Sequence, residues 1–215
     1  MPSSALSHDC LAAKTNHSQA YVASYQRTAV RSRVMHLGVG AFHRAHQAVY
    51  FDRLLALDEA WGITGVNLRP HDSAAFATLQ AQQGEYFLKT MDATGTTEYH
   101  HIRSLVSLID GAQQPQAVDQ AMADPAIVLL TTTVTEGGYY LNEVGGLLLD
   151  HPAIAADLQQ NGRNTLYAFL QQGLRHRMDC QSGPITLLCC DNLRHNGKLL
   201  ESGFKQFLKA AGDEV

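Results

Sequence analysis

The chain has 215 residues, of which 45% are hydrophobic and 17% are charged. A chain of this length and apolar content can bury a substantial core, which excludes disorder for most of it. The 20 acidic and 16 basic side chains give a formal net charge of −4, so no basic excess favours nucleic acid. No apolar run approaches the roughly 18–20 residues that cross a bilayer, and residues 1–30 lack the apolar core of a signal peptide. We therefore expect no nucleic-acid partner, no membrane partner and a cytoplasmic location.

The cysteines and histidines form no pattern that is typical of a metal site. None of the cysteines forms a C-x-x-C pair, and the side chains of adjacent Cys189 and Cys190 would point to opposite faces of a strand. The histidines closest in sequence, such as His43 and His46, have no carboxylate in a ligand frame such as H-E-x-x-H. We expect reduced thiols and no metal ion.

Residues 1–32 begin with a polar, aperiodic stretch, and we expect an N-terminal arm there, followed by one domain over 33–215. Short apolar runs bounded by Gly, Pro and Asn predict strands in that domain. The run at 126–134 is the most β-branched and predicts a central strand buried on both faces, and 185–190 predicts another buried strand. In chain order, strands are predicted over 34–39, 63–68, 85–91, 97–108, 126–134 and 185–190.

Apolar residues at helical spacing predict helices between these strands. Strands that alternate with helices predict an α/β fold with a doubly wound, mostly parallel sheet. The runs at 85–91 and 97–108, joined by a turn at 92–95, predict an added strand pair that forms an edge or flap of that sheet. Helices are predicted over 43–57, 73–83, 114–122, 154–160, 165–178 and 198–211.

The first predicted strand ends in the glycine turn Gly38-Val39-Gly40-Ala41-Phe42-His43. Folds that bind dinucleotides carry G-x-G-x-x-G at this place, where the glycines allow a tight turn and a close approach of the backbone to the pyrophosphate. Here a histidine stands in the place of the third glycine, so the motif is incomplete. An ordinary turn between a strand and a helix remains as the alternative.

Four motifs in order resemble the mannitol dehydrogenase family, the polyol-specific long-chain dehydrogenases. The glycine turn continues into Arg44-Ala45-His46-Gln47, which is similar to the family's cofactor loop. The later motifs lie at 61–69, at 133–140 (TVTEGGYY) and at 190–197 (CDNLRHNG). The resemblance covers about residues 33–212. The last two motifs, with 82–86, are most similar to family members that oxidise arabinitol.

This resemblance implies an NAD-dependent, zinc-independent oxidoreductase that interconverts a secondary alcohol of a polyol and a ketose. It favours D-arabinitol and D-xylulose, with mannitol and fructose or mannonate and fructuronate as alternatives. In the family a Rossmann-like half binds the cofactor, and a mostly helical half supplies the catalytic lysine. That lysine motif and the V-D-R signature are absent from the 215 residues. The expectation is therefore a cofactor-binding part whose partner is the missing C-terminal domain. A non-catalytic dinucleotide-binding module or a degenerate fragment is the alternative.

Asn192 is the candidate catalytic residue. Hydride transfer from an alcohol needs a base for the hydroxyl proton and a donor that stabilises charge on the oxygen. A neutral amide suits the second task, and Asn192 follows the strand predicted at 185–190, where open α/β sheets bind their ligands. An Asx cap of the following turn is the alternative, and the resemblance favours the catalytic role. The solvent-exposed face of the last helix is expected to carry Lys198, Lys205 and Lys209, so none of them is assigned as the base.

The candidate cofactor-binding residues are drawn from the turns that follow the strands. Arg44 is expected to meet the pyrophosphate through a charge-assisted bond, and Glu136 to contact ribose or tune a proton path, unless it is a solvated loop carboxylate. Thr133 and Thr135 could bond the cofactor, although threonine in a β-branched run is more often only a strand former. The full set is Gly38, Gly40, Ala41, Phe42, His43, Arg44, Asn67, Arg69, Thr133, Val134, Thr135 and Glu136.

The cofactor is expected to be NAD rather than NADP. NAD enzymes usually carry an acid near the end of the second strand for the ribose 2′-hydroxyl, and this chain has Asn67-Leu68-Arg69 instead. Asn67 suits a free hydroxyl, whereas Arg69 suits a 2′-phosphate. The similarity to arabinitol-oxidising members decides for NAD.

Overall fold

The structure is a computed structural model that describes residues 20–159 and 162–213, with Glu136 described by its backbone alone. Its main sheet has five parallel strands in the order β6-β3-β2-β7-β8. This is the strand order of a dinucleotide-binding fold: from β2 the chain first adds β3 and β6 on one side and then returns to add β7 and β8 on the other. The order therefore reverses between β2 and β7. The predicted α/β class and doubly wound parallel sheet are confirmed. The five strands are β2 (Ser32–Leu37), β3 (Gly62–Asn67), β6 (Leu105–Asp110), β7 (Leu129–Thr132) and β8 (Thr186–Cys189).

Helices cover both faces of this sheet because its strands alternate side chains between two apolar cores. Val34 and Ile63 pack on one face with the first helices of the chain, and Met35 and Leu37 pack on the other with the later ones. On the first face lie α1 (Ala41–Ala45), α2 (Gln47–Leu54) and α3 (Ser73–Ala81). On the second lie α4 (Pro115–Met122), α5 (Pro152–Leu158), α6 (Leu166–Asp179) and α7 (Asn196–Ala210).

The added strand pair is a separate small sheet and not an edge of the main one. β1 (Tyr21–Val22), β5 (Thr97–Ile102) and β4 (Tyr86–Met91) form it, in the order β1-β5-β4. β4 and β5 are an antiparallel hairpin, as predicted, and β1 pairs parallel to β5. Through β1, the part of the predicted arm that the structure describes joins this sheet, while residues 1–19 lie outside the described residues.

The single strand predicted over 97–108 is wrong, because the chain changes sheets in its middle. The backbone N–H of Arg103 donates to the Asp52 carboxylate at 2.7 Å, and the Ser104 hydroxyl donates to the Ala48 carbonyl at 2.7 Å. These bonds to α2 replace ladder bonds and separate β5 from β6. The helix predicted over 43–57 is likewise two helices, interrupted at His46, whose φ of −127° and ψ of −87° are not helical.

The two strands predicted for the second half of the sheet are shorter than expected, and only the first of them is buried. β7 keeps only Leu129–Thr132 of the predicted run at 126–134, although it does lie inside the sheet. β8 is the outermost strand, with Thr186 exposed and Leu188 49% exposed, so the prediction of a buried strand there is wrong. The apolar run carries no sign of its place in the sheet. Position 160 of the fourth predicted helix lies outside the described residues. Within the described ranges no helix is both long and apolar enough to span a membrane.

Candidate functional site

A cleft of about 370 Å³ opens at the carboxyl ends of β2, β3, β7 and β8. Parallel strands bring the loops that follow them to one edge, and a ligand in such sheets binds where the strand order reverses. The cleft lies at that reversal, between the loops after β2 and β7. Its lining residues are Gly38, Val39, Gly40, Ala41, Phe42, Asn67, Leu68, Arg69, Asp72, Thr133, Val134, Thr135, Gly138, Tyr140, Asn164, Thr165, Leu166, Asp191 and Asn192.

Gly38 begins the glycine turn in a conformation that favours glycine. Its φ is +98°, and an added Cβ would lie 2.9 Å from the carbonyl oxygen of Thr133. The Gly38 N–H donates to the Val66 carbonyl at 2.9 Å, which ties the turn to β3 as well as to β7. A side chain here would therefore strain the backbone and push β7 away from β2.

Gly40 differs from Gly38 because its constraint does not come from the protein. Its φ of −102° suits any residue, and the nearest atom to an added Cβ is the Gly38 carbonyl oxygen at 3.9 Å. Gly40 is the N-cap residue of α1 and offers no side chain to the first N–H groups of that helix. At Gly40 the cleft wall therefore has both open space beside the backbone and backbone N–H groups that no capping side chain engages.

Two predicted cofactor residues do not line the cleft. His43 is fully buried beneath the glycine turn, where its ring stacks on His36 with 3.5 Å between ring centroids. The Arg44 side chain folds back so that its Nε donates to the Gly40 carbonyl at 3.4 Å, and its own carbonyl accepts from Tyr86. Because α1 is a single short turn, its third and fourth residues point into the core and along the surface, away from the cleft.

Asn67 lines the cleft, but its amide is used inside the protein. Its Nδ2 donates to Asp110 Oδ1 and to the Arg69 carbonyl at 3.0 Å, and its Oδ1 accepts from the Arg69 N–H at 3.1 Å. The side chain is therefore an Asx turn that shapes the end of β3. Arg69 is more exposed and pairs with Asp72 at 2.7 Å. Asp72 also lines the cleft, and it is an acidic residue close to the end of β3, whereas residues 67–69 include none.

The loop after β7 lines the cleft with Thr133, Val134 and Thr135, and one of its two hydroxyls is used inside the protein. Thr133 Oγ1 donates to the Gly38 carbonyl at 3.2 Å, which holds the two loops of the cleft together. Thr135 is exposed in the cleft and precedes the short helix Glu136–Tyr139. The side chain of Glu136 lies outside the described atoms, so its predicted role stays a prediction.

Asn192 lies in the cleft on a loop that its neighbours hold in place. Asp191 accepts hydrogen bonds from the Tyr139 hydroxyl and from Asn196 Nδ2, the second at 3.0 Å. Asn196 Nδ2 also donates to the Asp191 carbonyl at 3.1 Å, so Asn196, and not Asn192, makes the capping bonds of this turn. Within the described part of the chain, the exposed Asn192 amide has no hydrogen-bond partner.

The far wall of the cleft was missed by the sequence reasoning. Asn164 and Thr165 are placed there by Asp157, a buried carboxylate that accepts from both backbone N–H groups and both side chains at 2.7–2.9 Å. Thr165 also caps α6. Tyr140 lines the same wall and stands in the motif at 133–140, which offered a signal. Asp72, three residues after Arg69 and before a helix, offered another.

The lining suits an extended ligand with polar ends and flat apolar parts. Val39, Leu68, Val134 and Leu166 supply apolar walls, and backbone groups with Asp72 and Asn192 supply the polar contacts. Lysine does not occur among the lining residues that the structure describes. Over the same described ranges, no group of three or more His, Cys, Asp or Glu side chains could hold a metal ion.

Comparison with known proteins agrees with this geometry. Residues 32–213 match the mannitol dehydrogenase Rossmann domain. The D-arabinitol 4-dehydrogenase of Ralstonia nicotianae is 43% identical over 183 residues, which cover 84% of this chain and 39% of that protein. The mannitol 2-dehydrogenase of Phaeosphaeria nodorum is 36% identical over 198 residues, which cover 90% of this chain and 35% of that protein.

A solved structure is similar over the same region. The mannitol 2-dehydrogenase of Pseudomonas fluorescens, in a ternary complex with NAD and D-mannitol, matches with a TM-score of 0.84 at 31% identity. The match covers 89% of this chain and 40% of that one. The chain thus spans between 35% and 40% of the length of these relatives.

Proposed function

Because the chain belongs to the mannitol dehydrogenase family, we propose that its cleft binds a nicotinamide dinucleotide for the interconversion of a polyol and a ketose. The observation that carries the proposal is the glycine turn at the sheet reversal. Gly38 is needed by the protein itself, whereas Gly40 leaves a space that no protein atom fills. A pyrophosphate seated against the first N–H groups of α1 would use that space.

The test is isothermal titration of the 215-residue chain with NADH, and of two glycine variants. Gly40→Val places a branched side chain where the pyrophosphate is expected, and it should abolish binding while the circular dichroism spectrum and melting temperature stay close to those of the wild type. Gly197→Val is the control, because nothing lies within 4 Å of an added Cβ there and Gly197 does not line the cleft. Equal NADH affinity for all three proteins would contradict the proposal.

NAD is the cofactor that the cleft suits better than NADP. The Asp72 carboxylate can accept from a free ribose 2′-hydroxyl and repels a 2′-phosphate, and it already engages the Arg69 guanidinium that would attract one. We expect Asp72→Ala to raise the affinity for NADPH and to leave NADH weakened. Titration of both cofactors decides: NADP binding at least tenfold tighter than NAD, about 1.4 kcal/mol, would reverse the assignment.

Asn192 is proposed to stabilise charge on the substrate oxygen. Its amide is exposed in the cleft and free of internal bonds over the described residues, so it can donate to a carbonyl or alkoxide without titrating. The base that removes the hydroxyl proton is assigned to a C-terminal domain outside these residues. D-arabinitol is the proposed substrate because the relative from Ralstonia nicotianae is named for it, with mannitol second.

A non-catalytic dinucleotide-binding module is the second candidate, and it is favoured by the absence of lysine from the described cleft lining. The two are separated by NADH formation at 340 nm with D-arabinitol and D-mannitol. We expect the 215-residue chain by itself to bind NADH and to turn over neither polyol. Robust turnover by material of verified mass would place the base within these residues. The cytoplasmic location stays a prediction.

A further inference from the structure

Two buried imidazoles lie beneath the glycine turn, and the chemistry proposed above uses neither. His36 is the residue before the last of β2, and His43 belongs to α1. Both are fully buried, and their rings stack nearly parallel, with 3.5 Å between centroids and 15° between planes. Two polar rings placed in the core at the start of a ligand loop call for a physical reason.

His36 joins β2 to β7 at the point where the sheet reverses. Its Nδ1 lies 2.7 Å from Thr131 Oγ1, and its Nε2 lies 3.1 Å from Thr133 Oγ1 and 3.2 Å from the Gly38 carbonyl oxygen. The two threonines belong to β7 and the loop after it. One ring thus contacts both strands and the first residue of the glycine turn.

These partners limit where the proton of the ring can be. Burial, together with the neighbouring His43 ring, holds the pKa of His36 well below its ordinary value, so the ring is neutral and has one N–H. A carbonyl oxygen only accepts, so the ring can bond the Gly38 carbonyl only with its proton on Nε2. The Thr131 hydroxyl can then donate to Nδ1, and every polar atom of the ring is satisfied.

Several polar groups of the turn and of its neighbours meet at the Gly38 carbonyl oxygen. It accepts from the Gly40 N–H at 2.8 Å and from Thr133 Oγ1 at 3.2 Å, and His36 Nε2 lies 3.2 Å from it. With the ring proton on Nε2, three donors on one oxygen fix the peptide plane between Gly38 and Val39, and with it the direction in which the following N–H groups point.

We propose that His36 is a positioning residue of the dinucleotide loop, which it holds through the hydrogen bond from its Nε2–H to the Gly38 carbonyl. The inference rests on the proposed function for what the loop binds, but not for how the loop is held. His43 supports the ring from below by stacking. His36 itself does not touch the cleft, so it acts on the ligand through Gly38.

A spectrum of the imidazole nitrogens tests the hydrogen bond without any ligand. Two-bond ¹⁵N–¹H correlation spectra of the 215-residue chain distinguish protonated from unprotonated ring nitrogens at neutral pH. The proposal expects His36 protonated at Nε2 and bare at Nδ1. A proton on Nδ1 would overturn it, since Nε2 could then donate nothing to Gly38.

Binding of NADH tests the positioning. His36→Leu removes the donor and should weaken NADH binding about tenfold or more, whereas His36→Gln keeps an N–H near the position of Nε2 and should stay within about threefold of the wild type. Thr64→Val is the matched control: it removes another buried hydroxyl of the same sheet, one that bonds Ser32 at the start of β2. It should lower the melting temperature and leave NADH affinity unchanged.

The outcomes separate the two proposals. NADH affinity of His36→Leu equal to that of the wild type, or a loss in Thr64→Val as large as in His36→Leu, would overturn the positioning role. If His36→Leu does not fold, Thr131→Val takes its place, because it removes the hydroxyl that makes Nδ1 the acceptor; about threefold weaker binding supports the role, and unchanged binding overturns it. If the wild type binds no NADH, the proposed function fails, and the nitrogen spectrum still decides the hydrogen bond.

Discussion

At the junction of β2 and β7 the polar side chains bond to one another and to the glycine turn, whereas in the loop after β8 Asn192 faces the cleft without an internal partner among the described residues. His36, Thr131 and Thr133 are all engaged around Gly38. The comparison separates two tasks. Groups that shape a binding loop must be satisfied before the ligand arrives, and a group that polarises a substrate must be left free to do so.

The junction of β2 and β7 and the loop after β8 also differ in how the sheet supports them. β2 and β7 are interior strands, with ladder partners on both sides. β8 is the outermost strand and exposes Leu188, so the loop after it depends on side-chain bonds such as those of Asp191 with Tyr139 and Asn196. We expect substitutions at the junction of β2 and β7 to affect folding most, and substitutions of Asn192 to affect folding least.

The largest effect is expected for Gly38→Val. The left-handed φ and the 2.9 Å approach to the Thr133 carbonyl together should lower the free energy of unfolding by about 2–4 kcal/mol, and NADH binding should be lost as well. Urea unfolding measures the first effect and titration the second. A variant as stable as the wild type would show that the turn adapts, which contradicts the account of this junction.

The far wall should be the next most sensitive region, through Asp157. An amide in place of this buried carboxylate loses two acceptor sites and turns its NH₂ toward N–H and O–H donors, so Asp157→Asn should cost about 2 kcal/mol of unfolding free energy. Asp92→Asn is the matched control: Asp92 also accepts several bonds, from Thr94 and Thr96, but it is exposed. Equal losses in the two variants would show that burial at Asp157 does not matter.

The buried histidine pair predicts a dependence of stability on pH. Burial lowers the pKa of His43 to about 3, below the value near 6.5 expected in the unfolded chain. Between these values the unfolded chain binds more protons, so the free energy of unfolding should fall as pH falls, by on the order of 1 kcal/mol per pH unit. His43→Phe keeps a stacked ring without a titrating group and should make that slope shallower.

Urea unfolding between about pH 7 and pH 4 checks the slope. His71→Phe is the control, because the His71 side chain is 70% exposed and lies outside the core. It should unfold with the slope of the wild type. A His43→Phe protein with the wild-type slope would mean that His43 does not titrate as a buried, neutral group.

The smallest effect is expected for Asn192→Ala. Its amide bonds nothing within the described residues, so the free energy of unfolding should change by less than about 0.5 kcal/mol, and NADH affinity should stay within about threefold. Asn196→Ala is the matched comparison and should cost about 1 kcal/mol, because it removes bonds to the Asp191 carbonyl and carboxylate. A larger loss at Asn192 would mean that it is a structural cap.

The sequence predicts local structure better than the arrangement of loops. The alternation of strands and helices predicts the doubly wound sheet, because periodicity reports which side chains are buried. Residues 38–42 of the glycine turn and Asn192 do line the cleft, since each follows a strand, and their roles there stay predictions. Whether Asn67 faces a ligand or bonds Asp110 depends on a residue 43 positions away, which no local pattern reports.

The same limit explains the other differences. His43 and Arg44 adjoin the glycine turn in sequence, but a helix of one turn directs them away from the cleft. Asn164 and Thr165 lie in the cleft because a buried Asp157 binds their loop, and neither stands in a recognised motif. The exposure of Leu188 follows from strand order, which an apolar run does not encode.

The most direct test of the central claim is a crystal structure of the 215-residue chain with NADH. The account predicts the dinucleotide across the ends of β2 and β7, with the pyrophosphate against Gly40 and Ala41, the adenosine ribose beside Asp72 and the nicotinamide toward Asn192. Gly38 and His36 should keep the positions that they have in the free protein. A dinucleotide bound elsewhere, or a glycine turn rebuilt around it, would contradict the account.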